Sequence, residues 1–274
     1  MPMNANPFSV LSTEPSGERL GLGLPPGSLV TETHSGSWPE PLLWVADGTA
    51  ASGAWAEYAA TRDAVGLRPL LLEDDARITG WWKGGLDPGM MSAPGDHDAE
   101  AVLREFWHAA VTDTDEEDED AGETIAPYSS SWPGLAQRRP IVADPDATAA
   151  EVAAGLVEHR LSSPRLALAP AVCSADIPAV IGWTGPLNHE NDVARLCAVL
   201  RSWEDRFGVR VVALSYDRLD LSVAAPPQTV EEALPVAVEH FAFCPDNIWQ
   251  GHETLRLYAE DALVGNAHWT FWWD

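Results

Sequence analysis

At 274 residues the chain is long enough for one large domain or two small ones with a sizeable core. An apolar fraction of 46% and 13 Trp exclude global disorder, even at a formal net charge of −26. Asp and Glu outnumber Lys and Arg 42 to 16, a field that repels phosphate backbones and anionic lipid and argues against nucleic acid and membrane as partners.

Residues 1–40, rich in Pro, Gly, Ser and Thr, read as an irregular leader with a short strand near Ser28 to Glu32. The start, MPMNANPFSV, lacks the basic and apolar regions of a secretory signal, and no apolar run approaches the roughly 18 residues of a spanning helix. Residues 41–111 form an N-terminal α/β region. Leu42 to Val45 and Arg68 to Leu72 read as strands flanking a helix over Ser52 to Val65, closed by Gly66: a small β-α-β unit. WWKGGLDPGMM reads as a turn-rich loop and Ala99 to Val111 as a helix. Residues 112–145 are an acidic loop and linker whose run TDTDEEDEDAGE offers no apolar face to bury and reads as disordered. A boundary near residue 145 separates these from a C-terminal α+β domain, 146–274.

Within this C-terminal domain, the capping-box spacings of Thr148 with Glu151 and of Thr229 with Glu232 mark helix starts. After the second, Val230, Ala233, Leu234, Ala237, Val238 and Phe241 form one apolar stripe, while Pro235 predicts a kink or a later start. A further helix spans about Asp192 to Phe207 and ends at Gly208, with Cys197 on its apolar side. Arg165 to Ala169, Val209 to Ser215, Arg218 to Ala224 and His268 to Trp273 read as strands, the middle two joined at Tyr216-Asp217, and Thr254 to Val264 as a short helix. The order β-α-β-β-α-β is that of a ferredoxin-like split β-α-β sandwich, and the alternation in LDLSVA predicts an antiparallel sheet with one half-buried face and helices on the other.

The motifs of known chemistries are missing. GLGLPPG lacks GxGxxG spacing, and the chain contains no Walker loop, GxSxG or HExxH. The acidic run has Asp118 where a calcium loop requires glycine. Cys173, Cys197 and Cys244 are too far apart for a metal knuckle or redox pair and suit reduced thiols in the cytoplasm. No cofactor or metal is expected. A Cys244 nucleophile with His240 would sit one helical turn from its base, but a packing thiol is the simpler role.

Two strings are less ordinary. IGWTGPLNHEND places Trp183 between glycines, where it would cap the core, with Asn188 or Asn191 capping the next helix. FAFCPDNIWQG sets Pro245, Asp246 and Asn247 in a turn before Gln250-Gly251. With the terminal HWTFWWD, these strings resemble an uncharacterised bacterial domain-of-unknown-function family over roughly residues 150 to 274, whose members look like small proteins ending in a similar Trp-Trp-Asp tail. The resemblance implies no activity. In the tail, Trp269, Phe271 and Trp273 fall on one face of a strand and His268, Thr270 and Trp272 on the other, which makes Trp272 the informative aromatic.

The sequence thus points to a noncatalytic, acidic interaction protein, immunity-like in character, with a protein partner of basic surface. The alternatives are a small-ligand binder or enzyme with a pocket between the Trp183 loop and the Cys244-to-Asp246 turn, and a structural component of a larger assembly. The candidate contacts are Trp183, Asn188, Asp246, Gln250 and Trp272.

Overall fold

A computed structural model describes residues 7–59, 65–76, 78–112 and 121–274. In chain order the described elements begin with a single turn α1 (Phe8–Leu11), strands β1 (Gly27–Val30), β2 (Glu32–Thr33), β3 (Gly36–Ser37) and β4 (Leu43–Thr49), helix α2 (Ala54–Ala59) and strand β5 (Arg68–Leu72). Helices α3 (Ala99–Thr112), α4 (Ala121–Thr124) and α5 (Pro145–His159) lead to β6 (Arg165–Ala169), α6 (Ile177–Ile181) and α7 (Val193–Phe207). The hairpin β7 (Val209–Leu214) and β8 (Arg218–Val223), helix α8 (Val230–Phe243), the turns α9 (Asp246–Trp249) and α10 (Leu255–Tyr258) and strand β9 (His268–Trp272) complete them.

Seven strands form one sheet in the order β1-β4-β6-β5-β7-β8-β9, and only β5 and β7 run parallel. The protein is therefore α+β, with strands from both sides of residue 145 in a single sheet. The ferredoxin-like arrangement expected for residues 146–274 is not the one found. Strand β5 stands between β6 and β7, held by Leu71 opposite Ala213 and Leu72 opposite Leu214, while β7, β8 and β9 form a plain meander. A split β-α-β is present instead nearer the N-terminus: β4 and β5, joined through α2, both pair antiparallel with β6 lying between them.

Strand alternation divides the apolar side chains between two faces. Leu70 and Leu72 of β5 and Ala167 and Ala169 of β6 enter the larger core, covered by α7 and α8 with α3 packed on both. Leu71, Leu166 and Leu168 enter a second core with Trp44, under α2 and α5. The expected half-buried sheet with helices on one side is thus a sheet covered on both. Asp220 and Ser222, the polar positions of LDLSVA, are themselves 0% exposed.

The helix ends correct two local readings and bear out a third. Helix α5 is capped by Asp144, whose carboxylate accepts from Asp146 N–H with Pro145 at the first position, so the Thr148–Glu151 box is not its start. Asp192, not Asn188 or Asn191, caps α7 by accepting from Ala194 N–H. Helix α8 does start at Thr229, which accepts from Glu232 N–H at 3.3 Å, and continues through Pro235. Proline there removes the donor for the carbonyl of Glu231, an exposed residue whose carbonyl lies in the first turn. Gly208 takes φ 67° at the end of α7, as glycine permits. Most of the acidic run, 113–120, lies outside the described residues.

Candidate functional site

The carboxyl ends of β5 and β7 are the ordinary place for a ligand crevice in a sheet with parallel strands. Here two indoles close it. Trp81 Nε1 donates to the carbonyl of Glu73 and Trp183 Nε1 to that of Ser215, each at 2.9 Å. Trp183 is 1% exposed and packs edge-on against Trp273, with ring centroids 5.7 Å apart. The glycines around it serve packing: Gly182 has φ 73°, and a Cβ there would overlap the backbone of Asp87 and Pro88. The GW string is therefore a plug, with Trp183 capping the core as its sequence suggested.

The CPD turn covers the open edge of β9. Cys244 Sγ–H donates to the carbonyl of Trp272 at 3.0 Å, and Asn247 Nδ2 donates to that of Thr270 at 2.7 Å. Burial pushes the Cys244 thiol up, and does the same to Cys197, while Cys173 is pushed up to about 11 by burial and by Asp176. None is poised as a thiolate nucleophile. His240 contacts Tyr258 Oη through Nδ1 at 2.9 Å rather than Cys244, and burial holds it well below the ordinary histidine value.

Beyond this seal, the polar ends of both strings meet at the last residue. Asn188 Nδ2 donates to the carbonyl of Asp274 at 2.8 Å, Asp274 N–H donates to Asp246 Oδ2 at 3.3 Å, and Gln250 Nε2 donates to Asp246 Oδ1 at 3.2 Å. Three of the five expected contacts, Asn188, Asp246 and Gln250, are thus brought together. Trp183 is withdrawn into the core. Trp272 lies half-buried on the other sheet face, opposite Arg218. Exposed apolar side chains stand beside the polar cluster: Leu187 next to Asn188, Trp249 next to Gln250, and Tyr216 next to Asp217, whose carbonyl accepts from Trp273 N–H at 3.1 Å.

One buried polar network escaped the sequence reading. Arg218 donates to Asp220 Oδ2 at 3.0 Å and to Glu73 Oε2 at 2.7 Å, and His268 Nε2 contacts Asp220 Oδ1 at 2.8 Å. Burial opposes ionisation of Asp220, but hydrogen bonds from His268 and Arg218 hold its carboxyl below the usual range. In sequence Arg218, Asp220 and His268 occupy the outward positions of two strands, which normally signals solvent. A second network joins Glu239 to both terminal nitrogens of Arg206, at 2.8 and 2.6 Å, to Trp203 Nε1 at 2.6 Å and to Ala136 N–H at 2.6 Å. Among the described residues no three His, Cys, Asp or Glu side chains are grouped to hold a metal ion.

A cavity of about 280 Å³ lies beside the polar cluster, between α3, α4 and the end of α8. Val111, Ile125, Tyr128, Ser129, Phe241 and Trp249 line it, and Trp249 meets Phe241 edge-on at 5.3 Å.

Residues 165–274 match the model of a family described as a domain of unknown function, DUF4253, beginning at the first residue of β6. No curated protein and no solved structure matches the chain. Among the described residues no helix is long and apolar enough to cross a membrane.

Proposed function

We propose that this chain is a noncatalytic protein-binding protein of the cytoplasm, whose partner presents basic surface to the face where the GW loop, the CPD turn and the last residue meet. The observation that carries this reading is the convergence of Asn188, Asp246, Gln250 and Asp274 on one surface flanked by Leu187, Tyr216 and Trp249, which are 50%, 49% and 38% exposed. Exposed aromatics anchor interfaces, and carboxylates beside them favour a cationic partner and speed its approach. The net charge of −26 adds a long-range field of the same sign.

Affinity capture from the native host at low and at high salt tests the reading. The expected result is a basic protein that is released as salt rises and is retained less by Asp246→Asn and by Trp249→Ala. Capture of no protein, together with a bound metabolite in native mass spectrometry, overturns it.

A further inference from the structure

We infer that the cavity beside α9 receives a large apolar side chain of the partner, presented from a Lys- or Arg-rich segment. The inference rests on the reading of the neighbouring surface as a docking face.

The cavity sits at one end of that face. Trp249 forms part of its wall and belongs to the same single-turn helix as Asp246, so the cavity and the acidic cluster share one element. The walls are largely carbon: Phe241 forms a fully buried part of the wall, Val111 and Ile125 contribute aliphatic surface, and Tyr128 adds a ring whose phenol is pushed up by burial. A volume of about 280 Å³ is too large for a structural water and falls at the lower end of small binding pockets, so it suits one bulky side chain. A pocket of this kind beside a half-exposed aromatic is the ordinary setting of an interface hot spot.

Charge identifies the flanks of the occupant. Glu123 is exposed and adjoins two wall residues, Gly122 and Thr124, and Asp246 stands three residues before the wall residue Trp249 on the same short helix. An apolar side chain from an acidic or neutral segment would enter against this field, whereas one flanked by Lys or Arg enters with it.

The test uses the full chain and short fluorescent peptides with Lys/Arg flanks around one central residue, Ala, Leu, Phe or Trp. Binding is read by anisotropy at physiological and at high salt. The expected result is on the order of ten-fold tighter binding when the centre is Leu, Phe or Trp rather than Ala, as burial of such a side chain implies. That gain should disappear in Ser129→Phe, which fills the cavity from an exposed wall position, and persist in Ser129→Ala. Salt-sensitive binding that ignores the central residue overturns the cavity inference while leaving the docking face in place. A central-residue gain that survives Ser129→Phe overturns it as well, because the side chain then binds elsewhere. Absence of binding by any peptide contradicts both readings.

Discussion

At the scale of single residues, buried titratable groups dictate how the protein responds to acid. His240 sits among Trp203, Trp269 and Phe271, with ring centroids 4.8, 4.4 and 4.8 Å away, and its pKa is held low first by burial and then by Arg206. As pH falls through the ordinary histidine value of 6.5 the unfolded chain takes up a proton that the folded chain refuses, so stability declines below that point. His189 is lowered by burial and acts in the same direction. Urea unfolding near pH 7 and near pH 5 should therefore show a loss for the parent protein that is larger than that of His240→Phe by about 1–2 kcal/mol. Equal losses would contradict this role of His240. Asp220 responds at lower pH: its depressed folded pKa contributes stability that is present above the unfolded value and lost as pH falls through the folded one.

The thiols allow a second check at this scale. Cys197 and Cys244 are fully buried with raised pKa values, and Cys173 is raised to about 11. Iodoacetamide at mildly alkaline pH should label none of them rapidly until denaturant is added. Rapid native labelling of Cys244 would restore it as a candidate nucleophile. What the residue types concealed was partnership. Glu239 lies off the apolar stripe of α8 and Asp220 at an outward strand position, so neither announces from sequence that Arg206 or Arg218 will meet it across 33 residues or from the same strand.

At the scale of elements, the GW and CPD strings explain themselves as seals. Cys244 and Asn247 occupy carbonyls on the outer edge of β9, where an unpaired strand would otherwise invite pairing with another chain. Asn247→Ala removes the donor from Thr270 and should cost about 1–3 kcal/mol in urea unfolding, with increased self-association in light scattering. An unchanged midpoint would show that the turn does not hold the strand. Deleting His268 to Asp274 takes Trp269 and Phe271 out of the core beside Trp203 and Phe207, and should abolish cooperative unfolding. A truncated chain that melts normally would contradict that role. The longer helices and the strands around them were legible, because apolar periodicity and glycine at helix ends are local, whereas the caps Asp144 and Asp192 were missed. Arg68 to Leu72 and Arg165 to Ala169 match their strands residue for residue. Strand order was not legible. The insertion of β5 between β6 and β7 depends on contacts more than 90 residues apart in sequence, as in Leu71 opposite Leu166 and Ala213, and nothing local encodes it.

At the scale of the whole molecule, the seven-stranded sheet joins the segment matched by the family model to the residues before it. The matched segment begins at β6, yet β5 supplies the strand between β6 and β7. A fragment of residues 165–274 would expose both inner edges and the apolar side chains of β6, and should not unfold cooperatively on its own. A sharp thermal transition for that fragment would contradict the description of one shared sheet.

The same sheet separates a face bearing Asp246, Asp274 and Trp249 from the opposite layer formed by α2 and α5. The chain contains a single lysine, Lys83, against 42 Asp and Glu, so a carbodiimide that joins amines to carboxylates couples it almost solely to lysines of a partner. The most direct test of the docking face is to apply such coupling to the captured complex and map the joined residues by mass spectrometry. Links are expected at Asp217, Asp246, Asp274 and Glu123. Links concentrated instead on Glu151 and Glu158 of α5, across the sheet, or spread evenly over the surface, would contradict the docking face.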